Sequence, residues 1–104
     1  MSALIADATF GTRLENYTLK FPQEVLLVQA NIEGEADTII IFKGFSSSLV
    51  RPTAYDPEVP TIPVGSRVES IDRLKGPYMP ETPQYIEQTI SPVAFEERMQ
   101  ENGL

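Results

Sequence analysis

The chain contains no cysteine and no histidine. Without cysteine there is no disulfide, no thiolate zinc site and no thiol nucleophile, and this usage fits a reducing compartment. Without histidine, both the commonest general base and the commonest metal ligand are missing. Any chemistry would fall to carboxylates, lysine, tyrosine or serine. No apolar run reaches the length of a membrane span. The N-terminal MSALIADATFGTRLE lacks the basic start and long apolar stretch of a secretory signal. The expectation is a soluble, cytoplasmic protein. An excess of basic charge is lacking too. Lysine and arginine number 8 against 15 aspartates and glutamates, a formal net charge of −7 that repels nucleic acid and anionic membrane at long range.

That charge is unevenly placed. Between residues 36 and 80, Asp37, Asp56, Glu58, Glu69 and Asp72 balance Lys43, Arg51, Arg67, Arg73 and Lys75. The flanks hold the whole acidic excess, so the middle of the chain can form a locally basic surface on an acidic protein. A chain of 104 residues with 41% hydrophobic content is one domain with a real core. At this size, folding buries about two-thirds of the unfolded surface. The pattern is weak over residues 1–12, which read as a loose N-terminus, and 13–104 read as a single compact unit.

The elements follow from periodicity and punctuation. Tyr17, Leu19 and Phe21 alternate with Thr18 and Lys20, which predicts a strand over 14–21 ended by Pro22. EVLLVQANI, 24–32, predicts a second strand with Leu26, Val28, Ala30 and Ile32 on one face. Gly34 marks a hairpin turn into a third strand, TIIIFKGF, 38–45. Ile39 to Phe42 is apolar on both faces, which a one-sided sheet does not need. Either the sheet curls into a small barrel, or the C-terminal helix or another copy of the chain covers its second face. A fourth strand is expected over 67–74, although Val68, Ile71 and Leu74 also have helical spacing and Ser66 with Glu69 matches a capping box. Two short helices are expected last, with Thr82 then Pro83 and Ser91 then Pro92 as N-cap and first-turn residues. In the second, Pro92, Phe95 and Met99 form a docking stripe, and Gly103 stops it. The fold class is mainly β (α+β): a small curved antiparallel sheet or SH3-like barrel with a long proline-rich loop and short C-terminal helices.

The block 39–63, IIIFKGFSSSLVRPTAYDPEVPTIP, stands out because a long structured loop on a buried strand is usually functional or pinned by its own side chains. A nucleophile among Ser46, Ser47 and Ser48 would need a base, and only a Ser–Lys pair with Lys43 is conceivable; turn serines bonding to backbone are the plainer reading. Lys43-Gly44-x-Ser46 with Arg51 could offer amides, hydroxyls and charge to an anion, but the phosphate-loop spacing is absent. Phe42, Phe45 and Tyr55 near Lys43 and Arg51 have the aromatic–basic interleaving of single-strand nucleic-acid platforms, against a net charge that opposes it. Prolines at 57, 60, 63 and at 77, 80, 83 share one edge of a polyproline II helix, read here as segments that wrap the domain with Tyr78 and Tyr85 as packing residues. Asp56, Glu58, Glu69 and Asp72 lack calcium-loop spacing and read as solvated surface.

The blocks RLENYTLK, PQEVLLVQANIEGE, IIIFKGFSSSLVRPTAYDP and SIDRLKGPYMPETPQYIEQ resemble a small protein family of cyanobacteria and plastids, treated as a domain of unknown function. The resemblance spans residues 13 to 88, and its most specific string is FKGFSSSL-x-RPTA-x-DP; the tail from Thr89 to Leu104 matches less clearly. It implies an oxygenic phototroph and a cytosolic or stromal setting, and it transfers no activity and no catalytic residue. The expectation is a non-enzymatic interaction module without a cofactor, binding another protein or a second copy of itself. The surface is Lys43, Phe45, Ser46, Ser47, Ser48, Arg51 and Tyr55. The alternative is a nucleic acid or phosphorylated ligand held at the same block by Lys43 and Arg51.

Overall fold

The computed structural model describes residues 3–50 and 61–104. An open antiparallel sheet is built from β1 (Leu4–Ile5), β2 (Glu24–Ile32), β3 (Glu35–Phe42), β4 (Phe45–Ser48), β5 (Arg67–Lys75) and β6 (Tyr85–Ile90). Its order is β1-β5-β2-β3-β4, with β6 also on β5. The sheet does not close, so the barrel alternative is not realised. Helices α1 (Phe10–Lys20) and α2 (Pro92–Glu101) lie together on one face.

The alternation in β2 forms the core. Leu26, Val28, Ala30 and Ile32 face the helices, together with Ile39, Ile41, Val68 and Ile71, against Phe10, Leu14, Tyr17, Phe95 and Met99. On the second face, Val25, Leu27 and Leu74 form a smaller cluster with half-buried Ile40, Phe42 and Tyr78. Two-sided burial of 39–42 therefore has two different covers. The helices take one face. The other is partly covered by the segment after β5, where Tyr78 packs and where a Cβ on Gly76 would stand 2.7 Å from the Phe42 ring. The C-terminal helix lies on the first face, not the second, with Phe95 and Met99 buried beside α1 as its stripe predicts.

Three expectations are corrected. Residues 14–21 are helical, not extended. Phe10, Leu14, Tyr17 and Thr18 form a buried helical stripe, and Leu19, which alternation would bury, is 60% exposed. The third strand ends at Phe42: Lys43 and Gly44 both take positive φ, 50° and 84°, and reverse the chain so that Phe42 pairs with Phe45. Residues after Thr82 form β6, not a helix, because β5 offers an unpaired edge on which Ile90 meets Ile71 and Glu87 meets Arg73. The first residues also participate: Leu4–Ile5 pair with β5, and Ala6 and Phe10 are buried. Strand β5 is confirmed, with a bulge opposite Gln29 and Ala30. No helix among the described residues is long and apolar enough to cross a membrane.

Candidate functional site

The β3–β4 hairpin carries the sequence block of interest, and its two faces differ. Backbone alternation turns Ser46 and Ser48 toward the helices, with Ile41 and Ile39. The Ser46 hydroxyl donates to Glu15 of α1 at 2.6 Å, and the Ser48 hydroxyl lies 2.8 and 2.9 Å from the two oxygens of Asp37, which is buried. The Val50 amide donates to Ser48 Oγ, and Thr61 Oγ1 lies 3.4 Å from the Ser46 carbonyl. At the turn, the Gly44 N–H donates to the hydroxyl of buried Thr18 at 2.9 Å, and that hydroxyl donates to the Glu15 carbonyl. A Cβ on Gly44 would meet the Leu19 side chain at 3.0 Å, so glycine serves both the conformation and the close approach to α1. The hairpin is thereby fastened to the helical layer.

The other face looks outward. Phe45 is 81% exposed, the most exposed large apolar side chain among the described residues. Ser47 is exposed, and Leu49, whose N–H bonds the Thr38 carbonyl and so continues the ladder, is 52% exposed. The Lys43 ammonium stands 5.2 Å from the centroid of the Phe42 ring. Of the expected surface residues, Lys43, Phe45 and Ser47 are therefore brought together on the exposed side. Ser46 and Ser48 are turned inward, and Arg51 and Tyr55 lie outside the described residues. No hydrogen bond links Lys43 to the serines, two of whose hydroxyls are engaged by carboxylates. Asp72, weighed as a cation ligand, accepts the backbone N–H of Thr89, a β-branched residue held at φ 55°. No group of three or more acidic residues among the described ones is placed to hold a metal. A shallow open depression of about 260 Å³ lies elsewhere, lined by Ala3, Arg67, Glu69, Ser70 and Thr89.

Sequence reasoning missed a charge network on the helix side. Arg73 of β5 makes a bidentate contact with Glu24 of β2, at 2.8 and 3.0 Å, and a 2.5 Å contact with Glu87 of β6. Glu87 also takes Arg98 of α2 at 2.8 Å, and Glu24 takes the Tyr17 hydroxyl of α1 at 2.8 Å. Burial works to raise the Glu24 pKa, but the hydrogen bonds from Arg73 and Tyr17 outweigh it and leave the group below the usual carboxylate value. Arg98 and then Arg73 lower Glu87. Burial, followed by the adjoining Glu24, pushes Tyr17 up to about 12. The only sequence signal was polar residues at strand positions facing the core; the partners come from five separate elements.

A family model described as a domain of unknown function, DUF7734, matches residues 11–99. No curated protein and no solved structure matches the chain.

Proposed function

The chain belongs to the DUF7734 family, a domain of unknown function, and we propose that it is a non-enzymatic protein-interaction module of an oxygenic phototroph, cytosolic or stromal. Its docking surface is the outward face of the β3–β4 hairpin with Lys43, Phe45 and Ser47; Arg51 and Tyr55, named with them in the same sequence block, lie outside the described residues.

The observation that carries this reading is Phe45, 81% exposed on a hairpin whose opposite face is bound to Thr18 and Glu15 of α1. An aromatic ring held in water on a rigid support loses little entropy on docking, and such anchors dominate interface energetics. Leu49 and Val50, also exposed, extend the apolar character beside it. The absence of histidine and cysteine agrees with recognition rather than catalysis. The second reading, a nucleic acid or phosphorylated ligand, draws support from Lys43 beside Phe42 on the same hairpin, against a net charge of −7.

A pull-down from phototroph lysate, with wild type and Phe45→Ser as baits and with and without nuclease, separates these readings. Proteins retained by wild type, insensitive to nuclease and lost with Phe45→Ser are the expected result. Identical recovery by both baits would refute the docking surface, and nuclease-sensitive recovery would favour the nucleic-acid reading.

A further inference from the structure

All the lysines of the chain, Lys20, Lys43 and Lys75, stand at one pole of the molecule. Lys20 ends α1, Lys43 follows β3, and Lys75 ends β5 opposite Glu24, the first residue of β2. Their neighbours in the chain meet. Leu19 lies against Gly44, and Gly76 lies against the Phe42 ring, over which the Lys43 ammonium stands at 5.2 Å. The Gly76 N–H donates to the Gln23 carbonyl at 2.7 Å and ties the Lys75 end to the start of β2. Each lysine is exposed, and the same pole carries two exposed apolar side chains, Phe45 and Leu19.

The nearby acids do not cancel this charge. Glu24 is taken by Arg73 and Tyr17 on the helix side. Glu101 precedes Asn102, whose carbonyl accepts Lys20 at 2.6 Å, and offsets that lysine. Glu81 is exposed in the segment after β5. Among the described residues no carboxylate pairs with Lys43 or Lys75, whereas Arg13, Arg67, Arg73 and Arg98 each face one. Glu33 and Glu35 are exposed at the far end of the β2–β3 hairpin. The 9 residues of β2 separate the two ends by about 26 Å, several times the screening length of about 8 Å at physiological salt. A surface in contact with the lysine pole is screened from the far acids, so the net charge of −7 slows approach more than it weakens contact.

From this arrangement we infer that the lysine pole docks on an anionic lipid surface, with Phe45 and Leu19 entering the headgroup layer and the lysines around them at the level of the phosphates. This goes beyond the protein-docking reading and shares Phe45 and Lys43 with it; Lys20 and Lys75 lie off the outward face of the hairpin. Two observations favour a lipid surface over an acidic protein. Protein interfaces enrich arginine and deplete lysine, whereas every exposed basic residue at this pole, among the described ones, is a lysine. A lysine also snorkels, covering apolar surface with its stem while its ammonium meets diffuse charge without a fixed partner, and neither Lys43 nor Lys75 has such a partner.

Each lysine at an anionic surface strengthens binding about fivefold, and insertion of the Phe45 ring about twentyfold. With Lys20 offset by Glu101, Lys43, Lys75 and Phe45 together give half-binding at roughly 2 mM lipid, a weak and reversible contact.

Cosedimentation of the whole chain with vesicles tests the inference, using phosphatidylcholine alone and equal parts of phosphatidylcholine and phosphatidylglycerol. Wild type should bind the anionic vesicles, bind the neutral ones about tenfold or more weakly, and be released at about 0.5 M salt. Lys43→Glu should weaken binding about twentyfold and Lys75→Gln, which adds no charge beside Glu24, about fivefold. Phe45→Ser should weaken it about tenfold or more. Glu33→Lys, at the far pole, should change it by less than about threefold. These positions are all exposed. Glu33 and Lys43 both hold positive φ as non-glycine residues, so the exchanges add no new backbone strain, and a retained circular dichroism spectrum checks folding. No binding by wild type at about 10 mM anionic lipid, equal binding to both vesicles, or a gain with Glu33→Lys as large as the loss with Lys43→Glu would each overturn the inference. Lys75→Gln that binds vesicles like wild type but loses proteins in the pull-down would overturn it in favour of an acidic protein at this pole. A wild type that ignores vesicles yet captures proteins through Phe45 overturns the lipid surface and leaves the docking reading standing. Vesicle binding with identical protein recovery by wild type and Phe45→Ser does the reverse.

Discussion

Replacing Arg73 with alanine removes the guanidinium that neutralises Glu24 and leaves the carboxylate partly buried without its bidentate partner. The Arg73 and Glu24 side chains are 18% and 13% exposed. Breaking a fully buried pair by removing one partner costs about 3–5 kcal/mol, whereas exposed pairs contribute about 0–1 kcal/mol. With residual water access and the Tyr17 hydroxyl still in place, the expected loss is about 2–3 kcal/mol. For a domain of this size, that lowers Tm by roughly 10–20 °C. The pH dependence distinguishes lost charge pairing from lost packing. Glu24 is depressed in the folded state, so its pairing stabilises above the unfolded carboxylate pKa and is lost as pH falls through the folded value. Wild type therefore loses this contribution below about pH 4. The variant has no such contribution to lose, and the gap between the two should narrow from about pH 7 to about pH 3. Urea unfolding followed by circular dichroism at both values measures it. A variant within about 0.5 kcal/mol of wild type at neutral pH, or a gap that stays constant, would refute the assignment of Arg73 as the charge partner of Glu24.

Thr18→Val keeps the side-chain shape but removes the acceptor for the Gly44 N–H. It should cost about 1–2 kcal/mol and accelerate amide exchange at Gly44 more than at core strand positions; unchanged exchange there would remove Thr18 as the fastener of the turn. Tyr17, pushed up to about 12, should ionise well above the ordinary phenol value of about 10 in an ultraviolet titration that compares wild type with Tyr17→Phe. A phenol raised above its unfolded value stabilises the fold below pH about 10, and that contribution is lost as pH rises through the folded value. Tyr17→Phe should therefore show a flatter fall in stability between about pH 10 and 12 than wild type, and an equal slope would contradict the burial argument.

Strands β2, β3 and β5 were legible from their apolar residues, whereas β4 and β6 were not. The β2–β3 hairpin could be read from alternation and one glycine, because register and turn are local. Helix α1 was hidden by a short accident of spacing: Tyr17, Leu19 and Phe21 alternate as in a strand, while the helical stripe begins at Phe10, in a stretch with too little pattern to claim. The two proline-led signals near the C-terminus are locally equivalent, Thr82-Pro83 and Ser91-Pro92. Only the second begins a helix, with Phe95 and Met99 buried. The first is overridden by an available strand edge, since Glu87 reaches Arg73 and Ile90 covers Ile71. Nothing within six residues of Tyr85 encodes that edge, so propensity lost to tertiary pairing.

The candidate site was legible in composition but not in orientation. Lys43, Phe45 and Ser47 could be grouped from sequence because they are adjacent, but adjacency in a strand also places Ser46 and Ser48 on the opposite face. One shift in where β3 ends decides the matter. Had the strand run through Phe45, the serines would have been a loop free to meet a ligand. With the reversal at Lys43–Gly44, they become ladder residues, and each inward hydroxyl meets a carboxylate, Glu15 or Asp37. Inward fastening and outward exposure are thus linked: the contacts that fix the hairpin to α1 are what hold Phe45 in water. Loosening Gly44 or Thr18 should therefore weaken any partner capture that depends on Phe45, the proposed docking residue, because the ring would lose its support rather than its chemistry.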